Sequence, residues 1–358
     1  MMDPARKGVL EAIKEAETAG IRTIMITGDH PATALSIALK VGIKSAGVIQ
    51  GTDMDKMDTD DLKHALKTNS VFARVHPTHK VAILQALQET GEIVSMSGDG
   101  VNDAPALKRA HVGVGMGLKG TDVAREAAAM VLTDDNYATI VSAIAEGRRI
   151  YDNIKKFVIF LMRSNVGEVL TISGALLIGM PLPLLPLHIL WVNLVTDSFP
   201  ALALAAETGE KGIMTRPPRK KTDGIFTGEW FLLIVAGIFN MILSLGMYRL
   251  ADLHFPDDIT LARTVALTTT IVFQFFLAIS TRTKKPAFLV SPFGNPLLLV
   301  AIGVSTALHL GLLYTPVSTF FSVTAIPAIL WEELLGSCFV AFLIFESLKW
   351  FRKEEKRA

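Results

Sequence analysis

Six apolar segments, each about 20 residues long, follow one another in the second part of the sequence. A helix needs roughly 20 apolar residues to cross about 30 Å of hydrocarbon, and six such segments in succession are not expected of a soluble core. The sequence therefore predicts a bundle of six membrane helices at about 157–179, 188–206, 228–250, 262–281, 295–314 and 325–346.

The connections between these segments differ in charge. Lys and Arg cluster before the first segment, in every second connection and after the last segment, whereas Met180–Leu187, Ala251–Thr260 and Thr315–Thr324 contain neither residue. Because basic connections stay on the cytoplasmic side, we expect the N-terminal part and the C-terminus to be cytoplasmic. No signal peptide is expected, since Met1–Leu10 lacks an apolar core. We expect a multi-pass protein in a lipid bilayer, which is the plasma membrane if the source is prokaryotic.

Composition excludes several other classes of protein. The 358 residues contain 35 Lys and Arg against 34 Asp and Glu, so a nucleic-acid partner is not expected. A single cysteine, Cys338, excludes a disulfide scaffold and a Cys-rich zinc site. The hydrophobic share of 50% is too high for an ordinary soluble enzyme.

The N-terminal part alternates short apolar runs with amphipathic stretches. Strands are predicted at Ile21–Ile26, Ile93–Met96, Val112–Val114 and Met130–Leu132, and a helix is predicted from about Pro31. This alternation favours a parallel α/β sheet, which binds ligands beyond the carboxyl ends of its strands.

Glycines and polar residues follow two of these strands, in Thr27–Asp29 and Gly98–Asp103. Asp99 and Asp103, spaced i and i+4 at a helix start, can share one face and, with a neighbouring amide, form an oxygen-rich site suited to Mg²⁺. Lys80 can place a positive charge on a phosphoryl oxygen. Each feature alone is most often a turn or a helix cap, but together their order and spacing indicate phosphate chemistry.

Carboxylates and amides also lie within the first two membrane segments. A charged side chain in mid-membrane costs at least about 2.5–3.5 kcal/mol on insertion scales, which marks it as functional. Asn165 and Glu168 are spaced i and i+3, and Asn193, Thr196 and Asp197 lie within one turn of the next segment. Together they offer at most seven side-chain oxygens, and Ca²⁺ takes 6–8 oxygen ligands. Hydrogen bonding between helices is the alternative, but it would not need two carboxylates.

A proline in the second segment, Pro200, removes one helical hydrogen bond. We therefore expect local unwinding that lets backbone carbonyls face a cavity.

With these motifs in this order, the chain closely resembles the P-type cation-transporting ATPases, whose phosphorylation domain has the haloacid-dehalogenase fold. Thr27-Gly28-Asp29 matches the family's second phosphate motif, and Gly98–Leu107 matches the signature that binds Mg²⁺. The resemblance implies an α/β haloacid-dehalogenase-like (Rossmann-like) partial phosphorylation domain at 1–150, followed by an all-α bundle of six transmembrane helices at 151–358.

The resemblance also implies roles for single residues of the phosphate site. Thr27, Gly28 and Lys80 would bind the phosphoryl group of ATP, and Asp29 belongs to the same catalytic motif. For the metal, the resemblance implies Mg²⁺ binding by Asp99, with Asn102 and Asp103 completing and bracing the site.

In the membrane, the strings Asn165–Glu168 and Asn193–Asp197 resemble those of sarcoplasmic-reticulum-type calcium pumps. The resemblance implies that Asn165, Glu168, Asn193, Thr196 and Asp197 bind transported Ca²⁺. It also implies counter-transport of H⁺, because the carboxylates take up protons when Ca²⁺ leaves. Gln274 stands where the two-calcium pumps have a glutamate, and it is a further candidate ligand with one charge and one oxygen fewer.

The family's phosphorylated aspartate lies in Asp-Lys-Thr-Gly-Thr, and this sequence has no such string; its one Asp-Lys pair is Asp55-Lys56. Aspartyl-phosphate catalysis needs that nucleophilic carboxylate. We therefore expect the C-terminal portion of a pump that couples ATP hydrolysis to Ca²⁺ transport, inactive alone and completed by an N-terminal half in cis or in trans. Two alternatives stay open. One is a split-gene subunit or non-enzymatic relic that binds ions or a partner, and the other is a self-sufficient phosphatase with a membrane anchor.

Overall fold

The structure is a computed structural model that describes residues 6–210 and 212–351. The described ranges leave out Lys211 and the basic residues after 351, which are among the charges expected to be cytoplasmic. The chain divides into two compact units. The first extends to Arg148 and includes Glu210–Arg219, and the second comprises Arg149–Gly209 and the chain from Lys220 onwards.

The division differs in one respect from the boundary expected at residue 150. The segment Glu210–Arg219, expected in the membrane domain, groups with the first unit. The guanidinium of Arg148 donates hydrogen bonds to the carbonyls of Ile213 at 3.0 Å and Arg216 at 2.7 Å, which fixes this segment against it.

The first unit alternates helices and strands, most of them short. In chain order they are α1 Val9–Thr18, β1 Met25–Ile26, α2 Pro31–Val41, β2 Val48–Gln50, α3 Gly51–Met54, α4 Thr59–Thr68, β3 Val71–Ala73, α5 Pro77–Glu89, β4 Ser95–Gly98, α6 Ala104–Arg109, β5 Val112–Met116, α7 Asp122–Ala127 and β6 Met130–Leu132.

The strands form two parallel sheets of three strands each, ordered β1-β3-β2 and β4-β5-β6. In the first sheet Ile26 and Ile49 both pair with Phe72, which is fully buried between the helices that cover the sheet. The parallel pairing agrees with the expectation from the sequence. The strands, however, divide between two sheets instead of forming one.

Two predicted strands are shorter or shifted in the structure. Ile21–Ile26 is reduced to β1, because the amide of Ile21 bonds to Ala16 O at 2.8 Å and closes α1. Pairing starts only where Met25 N reaches Ser70 O, also at 2.8 Å. Ile93–Met96 is shifted to Ser95–Gly98, so β4 ends directly at Gly98, the first residue of the string that resembles the Mg²⁺-binding signature.

The remaining helices are mostly apolar, and the first of them begins in the first unit and continues into the second. They are α8 Tyr137–Leu177, α9 Pro186–Trp191, α10 Ser198–Ala205, α11 Trp230–His254, α12 Ile259–Thr281, α13 Pro296–Tyr314, α14 Ser318–Phe321 and α15 Ala328–Leu348. A π-helical turn, Val192–Thr196, joins α9 to α10.

Within residues 6–210 and 212–351, six helices are long and apolar enough to cross a membrane, with α9, the π turn and α10 counting as one. The expected six-helix membrane bundle is thereby confirmed. The first of them, α8, has 41 residues and begins about 20 residues before the predicted span. α12 is the most deeply enclosed of the six, and Phe273 and Leu277 on it are fully buried.

Candidate functional site

The segment after β1 is a closed turn around Thr27. Its hydroxyl donates to Asp29 Oδ2 at 3.0 Å and accepts from the amide of Asp29 at 3.1 Å. Because β1 and β3 are neighbours, the loops after them are also joined, through Val75 N to Thr27 O and Arg74 N to Asp29 O, both 3.1 Å. Gly28 is exposed, and no described atom lies within 4 Å of where its Cβ would stand. The backbone at Gly28 is therefore accessible to a phosphate.

The loop after β4 is organised around the buried carboxylate of Asp103. Its Oδ1 accepts from Lys80 Nζ at 2.5 Å, and its Oδ2 accepts from the amides of Asp99 at 3.2 Å and Gly100 at 3.1 Å. A Cβ on Gly98 would lie 2.8 Å from Oδ2, so a glycine is required there. Lys80 and Asp103 thus connect the loops that follow the two sheets.

Asp99 and Asp103 do not share a helix face, and that expectation is wrong. The backbone at Gly100 is extended (φ −101°, ψ 162°), and only a 3-10 turn, Val101–Asp103, follows it. The Asp103 side chain therefore turns inward, whereas Asp99 and Asn102 are exposed. An exposed carboxylate beside an amide oxygen is a donor set that fits Mg²⁺, and Asp103 braces the loop.

The structure brings together part of the predicted phosphate site. Lys80, in the first turn of α5, contacts the Asp99–Asp103 loop, and the Thr27 turn is hydrogen-bonded to the segment that precedes α5. The described hydrogen bonds do not join Thr27 to Lys80 directly. One neighbour was missed by sequence reasoning. His79, beside Lys80, is buried, and its Nε2 lies 2.9 Å from Asp55 Oδ1.

In the membrane unit, Glu168 of α8 is held by two amides from different helices. Its Oε2 accepts from Asn193 Nδ2 and its Oε1 from Gln274 Nε2, both at 3.1 Å. Asp197 directly follows the π turn that carries Asn193, the residue that donates to Glu168. Asp197 is fully buried, and no hydrogen bond of good geometry from the described residues satisfies its carboxylate oxygens, the Ser164 hydroxyl being the polar group beside them. Two carboxylates and two amides from three helices therefore converge.

The π turn positions this cluster. The amide of Asp197 bonds to Val192 O, five residues back, at 2.9 Å, and Pro200, which has no N–H to donate to the carbonyl of Thr196, lies in the first turn of α10 that follows. The sequence predicted unwinding at this point. Thr196 is buried, and its hydroxyl donates to Val192 O at 3.1 Å.

The structure does not place Asn165 in the cluster. Asn165 is exposed on α8, whereas Glu168 is only 4% exposed. Three residues turn a helix by about 300°, so the two side chains point about 60° apart, and at the edge of the bundle this separates an outer from an inner position. Helical spacing alone could not reveal which of the two faces inward.

Among the carboxylates near the span ends, Glu207 and Glu229 are buried in ion pairs with residues of the bundle. Glu207 is 7% exposed and lies 3.1 Å from Lys156 Nζ and 2.9 Å from Arg282 Nε. Glu229 is 4% exposed and lies 3.4 Å from Arg163 Nη2. Burial of these charges is possible because each has cationic partners on neighbouring helices.

The donor set of the membrane cluster has a definite chemical character. Within the described ranges, no three side chains of His, Cys, Asp and Glu gather in one place. The cluster consists of carboxylate and amide groups, whose oxygens suit hard cations rather than soft metals.

The chain thus combines an α/β unit of parallel strands with membrane-length helices that bury carboxylates. Residues 181–351 match the family model for the C-terminus of cation-transporting ATPases, and residues 1–111 match that for haloacid dehalogenase-like hydrolases. The chain belongs to the cation-transporting ATPase family.

Several curated relatives are calcium pumps by name. The chain is 43% identical, over 97% of its length, to a calcium-transporting ATPase of Bacillus subtilis, and 36% identical, over 98%, to an endoplasmic reticulum calcium ATPase of Aspergillus fumigatus. It is also 38% identical, over 91%, to a probable cation-transporting ATPase F of Mycobacterium tuberculosis. The chain spans 40%, 40% and 37% of these relatives' own lengths.

Proposed function

We propose that this chain forms the cation-binding membrane domain and part of the phosphorylation domain of a P-type pump that couples ATP hydrolysis to Ca²⁺ transport. The observation that carries the proposal is the pair Glu168 and Asp197, two buried carboxylates of one membrane bundle that are linked through Asn193, which donates to Glu168 and lies on the π turn that ends at Asp197. The unpartnered oxygens of Asp197 are costly to bury, and a divalent cation satisfies both carboxylates at once. The names of the relatives support Ca²⁺ as that cation.

The cluster supports a single ion. Glu168, Asn193, Asp197 and Gln274 supply at most six side-chain oxygens, which reaches the lower limit of calcium coordination. Asn165 is exposed on α8, where it can contact a segment outside this chain. Thr196 contributes to the cation site through its position in the π turn that carries Asn193. When the cation leaves, two adjacent carboxylates lose their positive charge, and protons replace it, which gives counter-transport of H⁺.

On the phosphate side, Lys80 neutralises a phosphoryl oxygen and the Thr27 turn orients the group through its hydroxyl and the backbone at Gly28. Asp99 and Asn102 would hold Mg²⁺, which when bound neutralises charge on the phosphoryl oxygens. Asp103 keeps Lys80 and the Asp99 loop in place.

The acceptor aspartate comes, in this proposal, from a segment outside the chain. Among the described strands, β1 and β4 each pair on one side only, and each carries a phosphate motif at its carboxyl end. Their free edges support the addition of a further parallel strand that brings the nucleophile. The charge pattern of the connections supports a cytoplasmic location for this unit.

The test is Ca²⁺ uptake into vesicles by the chain joined to the N-terminal half of a related pump. Glu168→Gln should abolish uptake, because it removes one charge from the cation site. Glu332→Gln, an exposed glutamate on α15 outside the cluster, is the matched control and should transport normally. Unchanged uptake by Glu168→Gln would refute the assignment.

A further inference from the structure

The two amides around Glu168 both act as hydrogen-bond donors to its carboxylate. Both present nitrogen to the carboxylate, Asn193 through Nδ2 and Gln274 through Nε2. A cation bound by Glu168 repels N–H groups and attracts oxygens. Both amides must therefore rotate when a cation binds, so that each oxygen replaces the nitrogen.

Rotation leaves each amide nitrogen in need of another acceptor. Asn193 already has one, because its Nδ2 also donates to Ile189 O at 3.0 Å. For Gln274 Nε2, Glu168 is the one acceptor that the described hydrogen bonds record. Since Gln274 is fully buried, water cannot replace that acceptor without cost.

Asn240 of α11 lies at the position such an acceptor requires. α11 and α12 are joined by a short loop and run antiparallel, and Ser244 on one meets Thr270 on the other at 2.7 Å. One helical turn along each helix from this contact, in the same spatial direction, leads to Asn240 and Gln274. These two residues are therefore at the same level.

The first span gives a second, independent indication of the same neighbourhood. Asn240 packs so closely on Gly167 that a Cβ there would collide with its amide. Gln274 is bonded to Glu168, the next residue of α8. Asn240 and Gln274 thus lie at one level of adjacent helices, and each contacts one of two consecutive residues of α8.

The amide of Asn240 has unused hydrogen-bonding capacity. It is fully buried, and its Nδ2 has no partner among the residues that the structure describes. Its Oδ1 accepts from Ser244 Oγ at 3.1 Å, and Ser244 in turn accepts from Thr270. A carbonyl oxygen has two lone pairs, so Oδ1 can accept a second hydrogen bond. Gln274 Oε1 likewise lacks a partner within the described part of the chain.

We propose that Asn240 is a positioning residue for cation binding. It accepts the Nε2 proton of Gln274 in the cation-bound state and so turns the oxygen of Gln274 towards the ion. The Ser244–Thr270 pair holds the Asn240 oxygen on the side that faces α12. Asn240 itself does not touch the cation, and Gly167 leaves the space that its amide occupies. The inference rests on the proposed function, because it assumes a cation at Glu168.

The test is equilibrium binding of radiolabelled Ca²⁺ to the full chain in lipid nanodiscs. Asn240→Leu should weaken binding by about five- to tenfold, the value of one buried hydrogen bond made only in the bound state. In a Gln274→Met background the same substitution should change the dissociation constant less than about twofold, because no amide remains to be turned. Asn240→Ala serves as a second variant, with the same expectation, should the leucine not fold.

The outcomes separate the two claims. Equal binding by the unsubstituted chain and Asn240→Leu, or an equal loss in both backgrounds, would overturn the role of Asn240 and leave the proposed function standing. Absence of Ca²⁺ binding by the unsubstituted chain would overturn both. A loss confined to the Gln274 background supports the inference, since a general packing defect would appear in both.

Discussion

The two candidate sites hold their inner carboxylates in opposite ways. Asp103 in the first unit receives three donors, from Lys80 and from the amides of Asp99 and Gly100. Asp197 in the membrane unit is buried more deeply and receives none from the described residues. The inner carboxylate of the first unit is therefore fully paired within the fold, whereas that of the membrane unit is left without such donors by the described residues.

This difference follows from the surroundings of each site. The phosphate loops are exposed at Gly28 and Asp99, so water solvates whatever the chain leaves unpaired. Inside a membrane bundle no water is at hand, and an unpaired polar group there costs several kcal/mol. A transported ion or proton compensates that cost only while it is bound, so the membrane site is expected to respond strongly to its ligand.

The largest effect is expected for a substitution at Asp197, the carboxylate of the membrane unit that lacks hydrogen-bond donors among the described residues. Asp197→Asn should weaken Ca²⁺ binding by about 100-fold or more, because it removes a charged ligand from a dry site. The unfolding free energy without Ca²⁺ should not decrease, since no hydrogen bond to the carboxylate is lost. Radiolabelled Ca²⁺ binding and unfolding in a chelator measure the two quantities. Asp252→Asn, near the end of α11, is the control, and normal binding by Asp197→Asn would contradict the comparison.

In the first unit, by contrast, removing the partner of the paired carboxylate Asp103 should lower stability. Lys80→Met leaves the buried Asp103 carboxylate without its cation and should lower the unfolding free energy of the first unit by about 2–3 kcal/mol. Lys44→Met removes an exposed pair with Glu17 and should cost less than about 0.5 kcal/mol. Urea unfolding, with hydrogen exchange in the strands as the readout, compares the two variants. Equal effects would show that the Lys80 pair is not a structural element.

A smaller effect is expected at the glycines of the two phosphate loops. Gly98→Ala places a methyl group against the Asp103 side chain and should cost about 1–2 kcal/mol, as overpacking does. Gly28→Ala meets open space and should change stability by less than about 0.5 kcal/mol. The same unfolding measurement applies. A larger loss at Gly28 would mean that its loop is more constrained than the hydrogen bonds indicate.

The features that sequence predicted best depend on local signals. Six apolar segments of spanning length directly give six membrane helices, and Pro200 indicated the interrupted second span. Strands of two or three residues, such as β1 and β3, are too short to show an alternating pattern, so their pairing into two sheets could not be anticipated.

The membrane site shows a second limit. Spacing places Asn165 and Glu168 within about 60° of each other on α8, but only packing decides that one is exposed and the other buried. Asn240 was missed, although an asparagine in an apolar segment is a signal that could have drawn attention to it. Its proposed role depends on how the antiparallel helices α11 and α12 are aligned with each other. The sequence of either segment alone does not show this alignment.

The smallest expected effect concerns Asp134, which precedes α8 in the first unit. The hydroxyl of Thr139 at 2.5 Å and the amide of Asn136 at 3.1 Å donate to this carboxylate and lower its pKa below the ordinary value of 3.8. Because the pKa is lower in the folded state, the ionised carboxylate stabilises the fold at pH values above the pKa of the unfolded state. This contribution is lost as the pH falls through the lowered pKa. Asp134→Asn should therefore differ from the parent by a constant amount between about pH 7 and pH 5, and the difference should shrink below about pH 4. Thr139→Val should weaken this dependence, since it removes the strongest donor. Urea unfolding of the first unit at each pH measures it. A difference that stays constant to the lowest pH would show that the carboxylate gains nothing from its donors, and that even the solvated unit leaves some charges unsupported.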